Sequence, residues 1–352
     1  MQSTMKDILL EHTRRYPQME PVDYVKLVYH SEFGGGHMIW DRQQALLLLQ
    51  QDIRRLGAQT ACQAPLFEAV GGRMYRMNLS RQLFESVSPA TVTAMFIRTG
   101  EMRQGRDERF ARKLKQLQQY ADEGLLAVSG KQMAQYLDFY VKNGYEPVHH
   151  SQAYRQAYHP CYRLVSARFV QYFEAICAVE RLLSTHKRRP VVAIDGPAAA
   201  GKSTLAALLG QLYDCNVFHM DDFRLNPADT FLDRIYGQAL CADLDTERFR
   251  RQVVSRINAR LPYMYERKNP YTGVHENAFV MPKRLQIFEG TYAMYPAWAD
   301  VSHLKIFMDI TADRQKKRLA ADAKTRSRLA AEELYFDVFC VGAYADIRLL
   351  TK

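Results

Sequence analysis

The chain has 352 residues, 47% hydrophobic and 24% charged, an ordinary globular composition long enough for two domains with buried cores. No apolar run approaches the roughly 18 residues of a spanning helix, and charges break every turn of the opening MQSTMKDILLEHTRRY, so a soluble, unsecreted, cytoplasmic protein without membrane contact is expected. The net charge of +10 sits mainly in front, with 26 Lys and Arg against 18 Asp and Glu through Arg189 and 22 against 20 beyond; because it is spread over several helices, it speaks against nucleic acid and for a small anion or a solvated face.

Residues 1–184 read as a mostly helical domain. Asp41 is placed to cap a helix whose Ala45, Leu48, Leu49, Ile53 and Leu56 form one stripe at a 3.6-residue period. Phe67 to Leu79 alternates around Gly71-Gly72 and predicts a short hairpin. Ser88-Pro89 supplies a cap and a first-turn proline, with Gly100 as the expected stop. Phe110, Leu114, Leu117 and Ala121 mark the next helix, closed by Gly124, and Met133, Tyr136, Leu137 and Tyr140 another, closed by Gly144. A last long helix is expected through Phe169, Phe173, Ile176 and Val179 to Leu183.

Two segments here carry candidate ligands. His30, Glu32 and His37 flank Gly34-Gly35-Gly36 and offer a metal or anion site, weighed against a plain helix connection with Gly34 as stop. Between Pro147 and Arg163, Tyr154 and Tyr158 share one helical face and Arg155 and His159 another, which suits either a phosphate-binding pocket or tyrosine packing. The six cysteines include no CxxC pair, so neither a zinc knuckle nor a disulfide framework is indicated.

The polar THKRRP segment ends this domain, and residues 190–352 alternate strands with helices. Strands are expected at Val191 to Asp195, Asn216 to His219, Leu285 to Phe288, Leu304 to Ile310 and Ile347 to Leu350, with a helix from Lys202. That alternation predicts an α/β fold, a P-loop NTPase-type parallel sheet with helices on both faces.

The first of these strands runs directly into Gly196, Pro197, Ala198, Ala199, Ala200, Gly201, Lys202, Ser203 and Thr204, the GxxxxGK[ST] pattern in strand-loop-helix context. Glycines let backbone N–H groups wrap phosphate oxygens, Lys202 brings a charge to the β and γ phosphates, and the Ser203 hydroxyl suits Mg²⁺. The expected cofactors are therefore ATP and Mg²⁺.

After the second strand, His219-Met220-Asp221-Asp222-Phe223 puts carboxylates at the sheet edge that faces ligands in open α/β folds. Asp221 is the candidate base for an acceptor hydroxyl, and Asp222 is expected to cap the following segment. Glu289 ends a buried strand and needs a partner, for which the Mg²⁺ shell is favoured over an arginine. The basic segment from Asp313 to Arg328 offers Arg318, Arg326 and Arg328 to a transferring phosphoryl group.

In order, AIDGPAAAGKSTLA, FHMDDF, DTERF, PYMYERKNPYTG, IFEGTYAMYP and the basic segment resemble the uridine kinase and phosphoribulokinase group of P-loop kinases from Val191 onward. The resemblance implies an ATP-dependent kinase acting on an alcohol group of a small, nucleoside-like acceptor. It further implies Asp221 as activator of the hydroxyl, Ser203 with Glu289 at Mg²⁺, and Asp243 or Asp245 with Tyr265 near the acceptor. Related pantothenate and ribulose-phosphate kinases share the fold. The lid pattern RRIxRDxxxRGR departs here at Ala321, for arginine, and Ser327, for glycine. The reading set against a kinase is an NTP-driven regulatory or nucleic-acid-binding P-loop protein.

Overall fold

The computed structural model describes residues 4–36, 41–56, 64–102, 105–225, 244–269, 272–319 and 323–351, leaving out the side chains of 323–328. The chain divides into two compact units, Met1–Gln171 and Tyr172–Lys352.

The first unit carries helices α1 (Met5–Arg15), α2 (Pro21–Phe33) and α3 (Arg42–Arg55), strands β1 (Phe67–Gly71) and β2 (Met74–Asn78), helices α4 (Arg81–Ser86), α5 (Pro89–Glu101), α6 (Asp107–Asp122), α7 (Gly130–Lys142) and α8 (Gln152–Tyr158), strand β3 (Tyr162–Ser166) and helix α9 (Ala167–Gln171). α2 is buried continuously from Asp23 to Glu32, so its polar groups need partners from neighbouring elements. Around it pack Phe110, Leu114 and Leu117 of α6, Met133 and Tyr140 of α7, and Ile8 and Leu9 of α1. The Asp41 carboxylate accepts from the amides of Gln43 and Gln44, which is the expected cap. Of the stripe that follows, Ala45 and Leu49 are buried while Leu48 is exposed.

β1 and β2 form the expected hairpin, turning through Gly71 and Gly72 at positive φ. β3 joins β2 antiparallel, in a stretch whose tyrosine spacing reads as helix. There the helical pattern stops at His159, which takes the left-handed conformation that ends α8. Gly100 does not stop α5, which runs on to Glu101; a single interior glycine costs a helix only about 1 kcal/mol. The long helix expected from Phe169 is broken at Tyr172 (φ −106°, ψ 17°), where a run of aromatic residues favours helix poorly.

The second unit contains α10 (Phe173–Thr185), β4 (Val191–Asp195), α11 (Lys202–Leu212), β5 (Cys215–His219), α12 (Thr246–Gln252), β6 (Tyr263–Lys268), β7 (His275–Val280), β8 (Leu285–Glu289), β9 (Leu304–Asp309), α13 (Ala312–Arg318), α14 (Ala323–Phe339) and β10 (Ile347–Leu350). Five strands make one all-parallel sheet in the order β10-β9-β4-β8-β5. β4 and β8 lie at its centre and are buried at every position, which is why their sequences are apolar runs rather than alternations. Phe218, Phe249, Phe288 and Trp298 are 1% exposed or less and fill one face, each contributing about 1.5–3 kcal/mol by burial. With β4 central and β5 reached across β8, the carboxyl ends of these strands bound the crevice where such sheets bind ligands.

Candidate functional site

The loop from Gly196 to Gly201 joins β4 to α11, and its shape depends on two glycines. Gly196 has φ +137°, and a Cβ there would stand 2.2 Å from the Met308 carbonyl oxygen. Gly201, at φ +95°, opens α11 from the left-handed region.

Side chains take up the carbonyls of this loop one after another. The Lys202 ammonium donates to the Gly196 and Pro197 oxygens at 2.6 and 2.9 Å. Gln315 donates to Ala198 O at 3.2 Å, Arg318 to Ala199 O at 3.0 Å, and the Thr351 hydroxyl to Ala200 O. The amides of Gly196, Ala198 and Ala200 are also held, by Asp195, Glu332 and the Pro197 carbonyl, so the loop is fixed on both its acceptor and its donor side.

Below the loop lies Asp195, fully buried and accepting from the amides of Gly196 (2.7 Å) and Met294 (2.8 Å) and from the Tyr335 hydroxyl (2.8 Å). Burial raises its carboxyl from 3.8 to about 6. Glu332 of α14, 2% exposed, reaches the loop from the other side. It accepts from Ala198 N and from the Thr291 hydroxyl, both at 2.8 Å, with the Arg224 guanidinium 3.8 Å away.

The Ser203 hydroxyl donates to both Glu289 oxygens, at 3.2 and 3.1 Å. Two oxygens at neighbouring corners of an Mg²⁺ octahedron with 2.0–2.1 Å bonds stand about 3 Å apart, so this hard-oxygen pair fits that ion. His219 also bonds Glu289 through Nδ1, and that bond raises the imidazole above its ordinary pKa. The partners of Glu289 are thus Ser203 and His219, not an arginine. Among the described residues, no cluster of three His, Cys, Asp or Glu side chains is arranged to hold a metal by itself.

Asp221 and Asp222 follow β5 in a 3-10 turn, Met220–Phe223, and face apart. Asp221 is 57% exposed and accepts from Arg224 Nε at 2.8 Å. Asp222 is buried and caps no helix among the described residues, and most of the segment it was expected to cap, 226–243, lies outside them. Its Oδ2 accepts from the Tyr265 hydroxyl at 3.2 Å, and burial raises its pKa. Tyr265 therefore pairs with Asp222 and not with Asp221. Asp245 is occupied as the N-cap of α12, bonded to Arg248 N at 2.9 Å and Arg248 Nε at 3.1 Å. Asp243, Ala321 and the side chains of Arg326, Ser327 and Arg328 lie outside what the structure describes.

Lys202 binds these parts together. Burial lowers its pKa, and four carboxylates act against that, Glu332, Asp195, Asp221 and Glu289 in falling order. Asp195, Glu332, Thr291, Gln315 and Thr351 were not singled out from sequence. Asp195 is legible by the reasoning applied to Glu289, an acid closing a buried strand. The other four come from segments remote in sequence.

In the first unit, the Glu32 carboxylate is taken by Arg109 (2.7 Å), Lys113 (2.9 Å) and the amide of Arg106 (3.1 Å), which leaves little for a metal. Gly34, at φ 68°, stops α2 as expected, and His37 lies outside the described residues.

No protein-family model matches the chain, and no curated protein does. Among solved structures it is similar to one described as a "Possible Uridine Kinase" from Bacillus stearothermophilus, at 20% identity and a TM-score of 0.38, over 50% of this chain and 99% of that one. It is also similar to phosphoribulokinase from Rhodobacter spheroides, at 15% identity and a TM-score of 0.33, over 47% of this chain and 71% of that one. No helix among the described residues is long and apolar enough to cross a membrane.

Proposed function

We propose that the second unit is an ATP-dependent kinase that transfers the γ-phosphoryl group to a hydroxyl of a small acceptor, nucleoside-like in the first instance. The observation that carries the proposal is the convergence on Lys202: phosphate loop, Ser203 with Glu289, and Asp221 surround one ammonium at the carboxyl edge of the sheet. Asp221, exposed at that edge, is the carboxylate available to take the proton of an attacking hydroxyl.

The loop amides and Lys202 bind the β and γ phosphates and fix the line of attack. Ser203 and Glu289 would hold Mg²⁺, which when bound neutralises charge on the phosphate oxygens. Asp221 takes the proton of the attacking hydroxyl, and Arg224 holds that carboxylate in position. Arg318, tied to the loop through Ala199 O, supplies positive charge to the transferring group.

Asp221→Asn tests this assignment. It keeps the size of the side chain and should lower turnover by about 10²-fold or more while ATP affinity stays within a few-fold. Normal turnover in the variant would remove Asp221 from the mechanism.

A further inference from the structure

We propose that the first unit holds a second anion site, separate from the phosphate loop, that binds the phosphate group of a small phosphorylated molecule in the cavity between α2 and α8. The cavity measures about 320 Å³ and is lined by Lys26, His149, His150, Arg155, His159 and Pro160, with no carboxylate among them. Its volume leaves room for more than a bare phosphate.

Of the groups around it, His150 is bonded to Asp23, while Lys26 and Arg76 touch no carboxylate among the described residues. Lys26, 9% exposed, donates only to the Val148 carbonyl, at 2.6 Å, and burial lowers its pKa to about 8. Arg76, 1% exposed, lies within electrostatic range of Lys26 and His150. Its Nη1 donates to the Tyr154 hydroxyl at 3.1 Å and its guanidinium lies over the Tyr162 ring, but Nε and Nη2 have no hydrogen-bond partner. Among the described residues neither Lys26 nor Arg76 forms an ion pair, and the Arg155, His149 and His159 side chains at the mouth make no hydrogen bond.

The nearby buried carboxylates are already spent. Asp23 accepts from His150, from Ser151 N and from Glu20 N, and Glu68 accepts from Arg15, Tyr16 and Asn78. Asp23 acts on Lys26 and Glu68 on Arg76 from a distance, but neither carboxylate forms an ion pair with them, and an anion entering the cavity relieves the cost of burying two cations this way. Phosphate suits a lysine floor with an arginine at the rim, where charge-assisted bonds form from several directions. The two faces seen in the sequence thus divide the work: Tyr154 and Tyr158 pack on Tyr16, and Arg155 and His159 line the cavity.

Calorimetric titration of the full-length chain with inorganic phosphate and with ribose 5-phosphate tests the proposal, alongside Arg155→Ala and Lys26→Met. Arg155 is exposed, so its loss should spare the fold and weaken binding about tenfold. Lys26→Met replaces an unpaired buried ammonium by an apolar chain of similar size. It should abolish binding while the melting temperature stays level or rises, which separates a ligand site from a structural lysine. Tighter binding of the ester assigns the site to a phosphorylated metabolite, and equal binding to free phosphate. Binding that survives both substitutions belongs to the phosphate loop and overturns the proposal, as does failure of both probes to bind.

Discussion

Replacing Gly196 by alanine should separate the phosphate loop's geometry from its charge. The new Cβ would meet the Met308 carbonyl oxygen at 2.2 Å and its carbon at 3.0 Å, at a backbone φ of +137°. Met308 lies within β9, hydrogen-bonded between β4 and β10, so the loop must yield and not the strand. Restoring contact moves the loop by about 1 Å. Backbone strain of this kind costs about 1–3 kcal/mol, and with the displaced bonds a loss of about 3 kcal/mol is expected. For a unit of this size that lowers the melting temperature by roughly 6–12 °C. A 1 Å error in the groups that position phosphate is worth about 10²-fold in function. Thermal melts with titration of a fluorescent ATP analogue would read both effects. Gly144→Ala is the control, since its φ is +77° with nothing within 4 Å of the added Cβ; about 1 kcal/mol and no change in nucleotide affinity are expected. ATP affinity within about threefold of wild type in Gly196→Ala would refute the account of the loop.

Two further substitutions probe the buried carboxylates. Asp195 holds its proton to about pH 6 when folded, against 3.8 unfolded, so the folded state binds more protons between those values and stability falls as pH rises through that window, by about 3 kcal/mol at most. Asp195→Asn should lose that slope in melts from pH 4 to pH 6, whatever its overall offset; parallel curves for the two proteins would contradict the raised pKa. Glu332→Gln keeps one oxygen to accept from Ala198 N and turns the other position into an amide that donates to the Thr291 hydroxyl, while removing a negative charge beside the loop, and should tighten Mg-ATP binding by up to about tenfold in equilibrium titration. Weaker binding would mean that Lys202 depends on that charge more than the phosphates are repelled by it.

The phosphate loop was legible because it is local: nine consecutive residues in a strand-loop-helix setting state both shape and chemistry. Glu289 and Asp221 were legible one step further out, as acids at the ends of apolar strands that a parallel sheet must bring to one edge. The supports of the loop were not. Glu332 is one of two adjacent glutamates on a helix, and nothing in α14's sequence says that its carboxylate reaches Ala198 N. Gln315 and Thr351 bind loop carbonyls 117 and 151 residues away, contacts that exist only once β9 and β10 are in place. Tyr265 was placed near the acceptor by the resemblance alone, and its bond to Asp222 spans 43 residues, a contact that no local pattern states. In the first unit, α3, α6 and α7 followed from their apolar stripes and α5 from its Ser88-Pro89 start. Strand β3 was hidden by the helical spacing of the tyrosines before it.

Acceptor-dependent ADP formation tests the central claim most directly, with purified full-length protein, Mg-ATP, and a panel of nucleosides, pantothenate, sugar phosphates and short RNA. The account predicts ADP released in step with a phosphorylated small molecule, only when its acceptor is present and only with Mg²⁺. ATP turnover indifferent to every small acceptor but stimulated by RNA, with binding that weakens steeply in salt, would contradict it.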